Sequence, residues 1–190
     1  MLLLSVCIVT ACGKYAAPIP PEALAPEAVR SIEAKVTAGV VSINWRAPDH
    51  DQRGQELKSI DAYQVGRYEL VDDTHIDLSD SAFVTIGHIA DAHILARDRL
   101  RSDARKQGKP GRRVDVADQQ KHFSFHDRSI KPGKSYLYRV TPINQGGVAG
   151  DISQYIKIKL QNGALDKQTA EVSILKRQSV EESLSIEEQQ

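Results

Sequence analysis

"SIKPGKSYLYRVTPINQGGVAG" (Ser129–Gly150) is the stretch that decides the fold. Tyr136, Tyr138, Val140 and Pro142 alternate with Leu137, Arg139 and Thr141. A period of two places alternate residues on one face of a strand. Pro132-Gly133 before this run and Gly146-Gly147 after it mark turns.

The same alternation recurs on both sides. "VVSINWRAP" (Val40–Pro48) sets Val41, Ile43 and Trp45 on one face and Val40, Ser42, Asn44 and Arg46 on the other. "DHDQRGQELKS" is polar and carries Gly54, so it reads as a loop. "IDAYQVGRYEL" (Ile60–Leu70) turns Tyr63 and Val65 inward and Gln64 outward. "FVTIGHI" (Phe83–Ile89) is a further apolar run, "KHFSFHD" (Lys121–Asp127) pairs Phe123 with Phe125, and "ISQYIKIKL" (Ile152–Leu160) offers Ile152, Tyr155 or Ile156, and Ile158. With a strand from Val36, these seven segments predict an all-β antiparallel sandwich.

From about Pro26 to Leu160 the chain resembles a fibronectin type III domain. Trp45 stands where that family has its strand-B core tryptophan. Ile130 lies six residues before Tyr136 with Pro132-Gly133 between, which is the spacing of the family's tyrosine corner. Asn144, Gly147 and Ser153 match its turn into the last strand. The resemblance implies an immunoglobulin-like sandwich over residues 28–160 with Trp45, Ile130 and Tyr136 in its core. Such domains take about 100 residues. The excess here lies between Tyr68 and His122, where a C′ strand near Phe83–Ile89 and long connections are expected, including a basic insertion between strands C and E over about residues 90–121.

The N-terminus has a different character. "LLLSVCIVTA" (Leu2–Ala11) is apolar and uncharged. It falls well short of the ~20 residues that cross a bilayer, but suits the centre of a secretory signal. It ends Val9-Thr10-Ala11-Cys12, which resembles the lipobox of bacterial lipoproteins. That resemblance implies cleavage before Cys12, a diacylglyceryl group on its thiol and acylation of its freed amine. Gly13, standing where an Asp commonly marks inner-membrane retention, implies the outer rather than the inner membrane of the cell envelope. The uncharged opening Met1-Leu2 departs from a signal's usual Lys or Arg, so the translation start is expected upstream. Residues 1–11 then read as a signal and 12–27 as a lipidated Cys with a proline-rich tether (Pro18, Pro20, Pro21, Pro26) of no fixed fold. Residues 161–190 read as a polar tail, partly helical or disordered, with Val172, Leu175 and Leu184 as a weak stripe.

Charge is balanced overall, 25 basic against 25 acidic residues, so no global field draws the chain to nucleic acid. It is uneven locally. "ARDRLRSDARKQGKPGRR" (Ala96–Arg113) holds Arg97, Arg99, Arg101, Arg105, Lys106, Lys109, Arg112 and Arg113 against Asp98 and Asp103. This is a candidate contact patch for an anionic surface or an acidic partner, or a solvated loop that keeps a long insertion soluble. Gly108-Lys109-Pro110-Gly111 within it reads as a turn or open loop.

No catalytic or metal site is expected. His122 and His126 are four apart, which on a strand separates them by about 13 Å. "VDDTHIDLSD" gathers Asp72, Asp73, Asp77 and Asp80 but lacks the Gly and final Glu of a calcium loop. No HExxH, GxSxG or phosphate-loop pattern occurs. No cofactor follows. The expectation is a non-catalytic lipoprotein, held to the membrane through Cys12, that binds another envelope protein. A carbohydrate- or cell-wall-binding adhesion module is the alternative, and a hydrolase with a site in the insertion stands behind both.

Overall fold

The computed structural model describes residues 18–57, 60–71, 76–114, 120–161 and 170–180, without the side chain of Arg113. The signal (1–11), Cys12, Asp72, Asp73, His75 and the last ten residues lie outside them.

Among the described residues eight strands form two antiparallel sheets. They are β1 (Arg30–Thr37), β2 (Val40–Arg46), β3 (Ala62–Leu70), β4 (Val84–Ala90), β5 (His122–Asp127), β6 (Ser135–Ile143), β7 (Gln154–Leu160) and β8 (Ala170–Lys176). One sheet has the order β1-β2-β5 and the other β4-β3-β6-β7-β8. Taking β1 to β7 as A, B, C, C′, E, F and G gives A-B-E against C′-C-F-G. This is the fibronectin type III arrangement of the immunoglobulin-like sandwich, with β8 added beyond G.

The core lies where the alternating faces meet. Val41, Ile43 and Trp45 from β2 oppose Tyr63 and Val65 from β3, Tyr136, Tyr138 and Val140 from β6, and Ile156 and Ile158 from β7, all buried. Trp45, Tyr63 and Phe123 form a three-ring contact across the sheets, with Trp45 edge-on to Tyr63 at 5.4 Å and Tyr63 4.5 Å from Phe123. Rings in such tilted and edge-to-face pairs gain roughly 0.5–1.5 kcal/mol beyond their burial.

The outer face of the larger sheet is also covered. Leu70, Phe83, Leu137 and Tyr155 form a second buried cluster, against which Ile76, Leu78 and Ala82 of the β3–β4 connection pack. Arg139 lies across it, 4.3 Å above the Phe83 ring and 2.6 Å from the Asp80 carboxylate. The long C–C′ connection therefore seals this face with the chain's own residues. The outer face of the smaller sheet is polar instead, with Ser42 beside His126, Asn44 beside Ser124 and Arg46 beside His122.

At the end of β5 the sheets are joined by a polar knot. The Asp127 carboxylate, only 4 % exposed, accepts hydrogen bonds from the Ser129 amide (2.8 Å) and hydroxyl (2.7 Å), the Tyr138 hydroxyl (2.9 Å) and Arg67 Nη1 (2.7 Å). Arg67 and Tyr138 belong to the opposite sheet. Burial pushes the Asp127 carboxyl up, but the bonds from Ser129, Tyr138 and Arg67 outweigh it and hold it below the usual carboxylate range. Beside it the Tyr136 hydroxyl accepts from the Lys131 amide at 3.0 Å, closing the corner between β5 and β6.

Three boundaries differ from the sequence reading. Residues 21–27 are not free tether: Pro21–Leu24 is a 3-10 turn, Ala25 is buried, and Pro26 bridges to Asp51. The insertion is not an open loop, because Ala92–Lys106 is an α-helix, α1. The tail does not leave the domain at Leu160, because β8 pairs with β7 over its whole length. Val172 there packs on the main core and Leu175 on the outer cluster, as opposite faces of a strand rather than one stripe of a helix.

Replacing Asp127 by Ala should lower the urea-derived unfolding free energy at pH 7 by about 2–3 kcal/mol, because the buried Tyr138 hydroxyl and the half-buried Arg67 lose the carboxylate that joins them. Since the folded-state pKa is depressed, this contribution is complete above the unfolded value near 3.9 and is lost as pH falls through the folded value. The gap between wild type and variant should therefore narrow below about pH 4.

Candidate functional site: one pole of the sandwich

Register places the distinctive segments at one end of the sandwich. Ala62, where β3 starts, pairs with Ile143 at the end of β6 and Ala90 at the end of β4. Arg46, where β2 ends, pairs with Arg30 at the start of β1 and His122 at the start of β5. The insertion thus leaves and returns at the same pole. The β2–β3 loop and the β6–β7 turn are there too, and so is the N-terminal segment.

That segment is clamped by three neighbours. The Leu24 carbonyl accepts from Asn144 Nδ2 at 2.9 Å, the Ala25 carbonyl from the Gln52 amide at 2.9 Å, and the Pro26 carbonyl from the Asp151 amide at 3.2 Å. Asn144 also shapes its own turn, since its Oδ1 accepts from the amides of Gly146 and Val148 at 2.9 Å. Asp51, buried in the β2–β3 loop, accepts from the amides of Arg53 and Gln55 and from the Arg53 guanidinium. Gly150 is required by proximity: a Cβ there would overlap the Pro26 carbonyl oxygen.

The root of α1 is fixed to the same framework. The Asp61 amide donates to the Ile143 carbonyl and the Asp91 amide to the Asp61 carbonyl, both at 2.9 Å. The buried Asp91 caps the helix, its side chain accepting from the His93 amide at 2.9 Å. Burial raises the Asp91 carboxyl, against the opposing effect of the His93 amide and ring. Beyond that root the helix has few apolar anchors, since only Ile94 and Ala104 are buried. It ends at Gly108, whose φ of 72° is the left-handed conformation that commonly closes a helix. Gly111 of the next turn (Gly111–Arg113) then packs against the Arg101 carbonyl and the Arg105 side chain.

The eight predicted basic residues do not form one uniform patch. Arg97 and Arg101 are half-buried along α1, and Arg97 pairs with Asp98 at 2.9 Å. Arg99, Arg105, Lys106, Lys109 and Arg112 are exposed, and of these only Lys106 has a carboxylate partner among the described residues, Asp103 at 3.5 Å. Arg113 closes the short turn. Trp45, Ile130 and Tyr136 are all core residues: Trp45 lies one residue inside Arg46 at this pole, and Ile130 and Tyr136 lie at the opposite end, in the β5–β6 corner. His122 and His126 sit on the outer face of β5, where His126 Nδ1 is hydrogen-bonded to the Ser42 hydroxyl at 3.0 Å. Among the described residues no cluster of His, Cys, Asp or Glu is arranged to hold a metal ion, and no helix is long and apolar enough to cross a membrane. A cleft of about 530 Å³ opens beside Asp151–Gln154 and Lys176–Gln178 at the same pole.

Two features escape a charge-and-period reading. One is the α1 helix itself, signalled by the Asp91 cap, a run of good helix formers and Gly108 just beyond its end. The other is the Arg67–Asp127 pair, for which no local signal exists.

No family model and no curated protein matches the chain. Among solved structures it is similar to a Fn3-like protein from Clostridium thermocellum, at 15% identity and a TM-score of 0.36 over 69% of this chain and 88% of that one. It is similar to the FN5 domain of Drosophila Lar, at 16% identity and a TM-score of 0.36 over 73% of this chain and 99% of that one. It is also similar to the twitchin kinase region from C. elegans, at 11% identity and a TM-score of 0.38 over 69% of this chain, which spans only 16% of that structure. Strand order and register are what define the fold as a fibronectin type III sandwich.

Substituting Gly150 by Ala should release the N-terminal segment while leaving the sandwich folded. Amides of Gln52 and Asp151, bonded to that segment, should then exchange with solvent about tenfold faster or more, while those of β2 keep their protection. Unchanged exchange at Gln52 and Asp151 would mean that the segment does not depend on this close approach.

Proposed function

We propose that the chain is a non-catalytic lipoprotein of the bacterial cell envelope, anchored by lipid on Cys12, whose fibronectin type III-like sandwich binds another envelope protein. The observation that carries the reading is the uncharged run Leu2–Ala11 ending in Val9-Thr10-Ala11-Cys12. The thiol receives the diacylglycerol, the small residues before it admit the peptidase to the backbone, and Gly13 favours the outer membrane. Two signals give stable anchoring where a single acyl chain does not, and a fully acylated Cys12 would carry three chains.

Protein binding is favoured over sugar binding by where the rings are. Every aromatic residue among the described ones is buried or half-buried, so none is offered flat to a glycan. A partner strand has edges to join instead, since β4 and β8 end the larger sheet and β1 and β5 the smaller. β8 also exposes Ile174.

The mass of the N-terminal peptide ending at Lys14 tests the anchor, using protein expressed from its own gene in a bacterial host. A diacylglyceryl or triacyl adduct on Cys12 with residues 1–11 gone is expected. An unmodified peptide running back through Cys7 would remove the anchor and the localisation with it.

A further inference from the structure

We infer that the pole carrying α1 is a cationic docking surface for the anionic headgroups of the bilayer that holds the anchor. Its orientation part rests on the reading of Cys12 as the lipidated residue; the cationic surface stands on geometry alone.

Three observations converge. The first is placement. The insertion leaves β4 at Ala90 and enters β5 at His122, at the pole where Leu24, Ala25 and Pro26 are clamped. Eleven residues separate Cys12 from Leu24, so this pole is at most about 40 Å from the lipidated residue. A membrane held at that range is at high effective concentration, and a weak attraction suffices to dock on it.

The second is charge. Arg99, Arg105, Lys106, Lys109 and Arg112 are exposed on α1 and the turn after it. The stretch from Ala96 to Arg113 carries eight basic residues against two acidic in a chain whose total charge is zero. Each Lys or Arg near an anionic leaflet adds to binding within about a Debye length.

The third is the helix surface. Leu95, Arg99, Ser102 and Lys106 recur at helical spacing on one exposed ridge, on which Leu95 is 63 % exposed. That ridge presents Arg99 and Lys106 together to an anionic surface. A nucleic acid would call for aromatic rings among the cations.

The test is co-sedimentation of the full chain carrying Cys12→Ser with vesicles of pure phosphatidylcholine and of phosphatidylcholine with 30 mol % phosphatidylglycerol, a composition of about one charge in three lipids. Three chains are compared: the parent, one with Arg99, Arg105, Lys106, Lys109 and Arg112 changed to Gln, and one with Lys35, Arg128 and Lys131 changed to Gln at the opposite pole. The parent should bind phosphatidylglycerol vesicles at least about tenfold more strongly than neutral ones, and lose this preference in high salt. The first variant should lose the preference and the second should keep it. Equal binding to both vesicles, which insertion of the apolar leader would produce, overturns the inference, as does a preference that survives the five substitutions. Because Cys12→Ser carries no lipid, the result is independent of the N-terminal mass. An acylated Cys12 with no charge preference would leave the anchor standing and remove this surface.

Discussion

The Asp127 carboxylate is the constraint on which the architecture depends. It ends β5 in one sheet and takes hydrogen bonds from Arg67 and Tyr138 in the other. Apolar packing between two sheets tolerates sliding, whereas a buried carboxylate with four donors holds one position. Arg67 also lies 5.1 Å above the Tyr136 ring, and Tyr136 in turn receives the Lys131 amide. The knot and the corner thus form one unit that fixes how β5 turns into β6. With that end set, antiparallel register determines what gathers at the other.

What gathers there is the part of the molecule on which the proposed membrane docking rests. The N-terminal segment, the β2–β3 loop, the β6–β7 turn and the insertion share a pole because their flanking strands all begin or end there. The covered outer face of the larger sheet is withdrawn from partners by Phe83, Arg139 and the 76–83 segment. Under the proposed anchoring, the basic pole faces lipid. The sheet edges and the polar outer face of the smaller sheet are then left to a protein partner. The division follows from topology and charge together, and neither alone would give it.

The sandwich is legible in the sequence because burial on one face leaves a mark every second residue. Val41, Ile43 and Trp45 show it plainly, as do Tyr136, Tyr138 and Val140. Their faces need no knowledge of partners. β8 is harder to see because both its faces are half-covered, Val172 by the main core and Leu175 by the outer cluster, so its alternation is faint. α1 buries only Ile94 and Ala104, too few to make a stripe, and its charge obscures a good helical composition. The docking of residues 21–27 is hidden for another reason. Prolines there read as a spacer, while the bonds that hold them come from Gln52, Asn144 and Asp151, far away in sequence. Arg67 and Asp127 are sixty residues apart, and no local pattern says which charge falls at an inner strand end.

The proposed orientation, with an anchoring bilayer facing the pole bearing α1, is tested most directly by site-directed fluorescence on the protein in membranes. A probe is placed at Arg112→Cys or at Lys131→Cys, at opposite poles, and quenched by a lipid carrying its quencher in the headgroup. Strong quenching at position 112 with little at 131 is the predicted result. Equal quenching at both positions, or stronger quenching at 131, would contradict it.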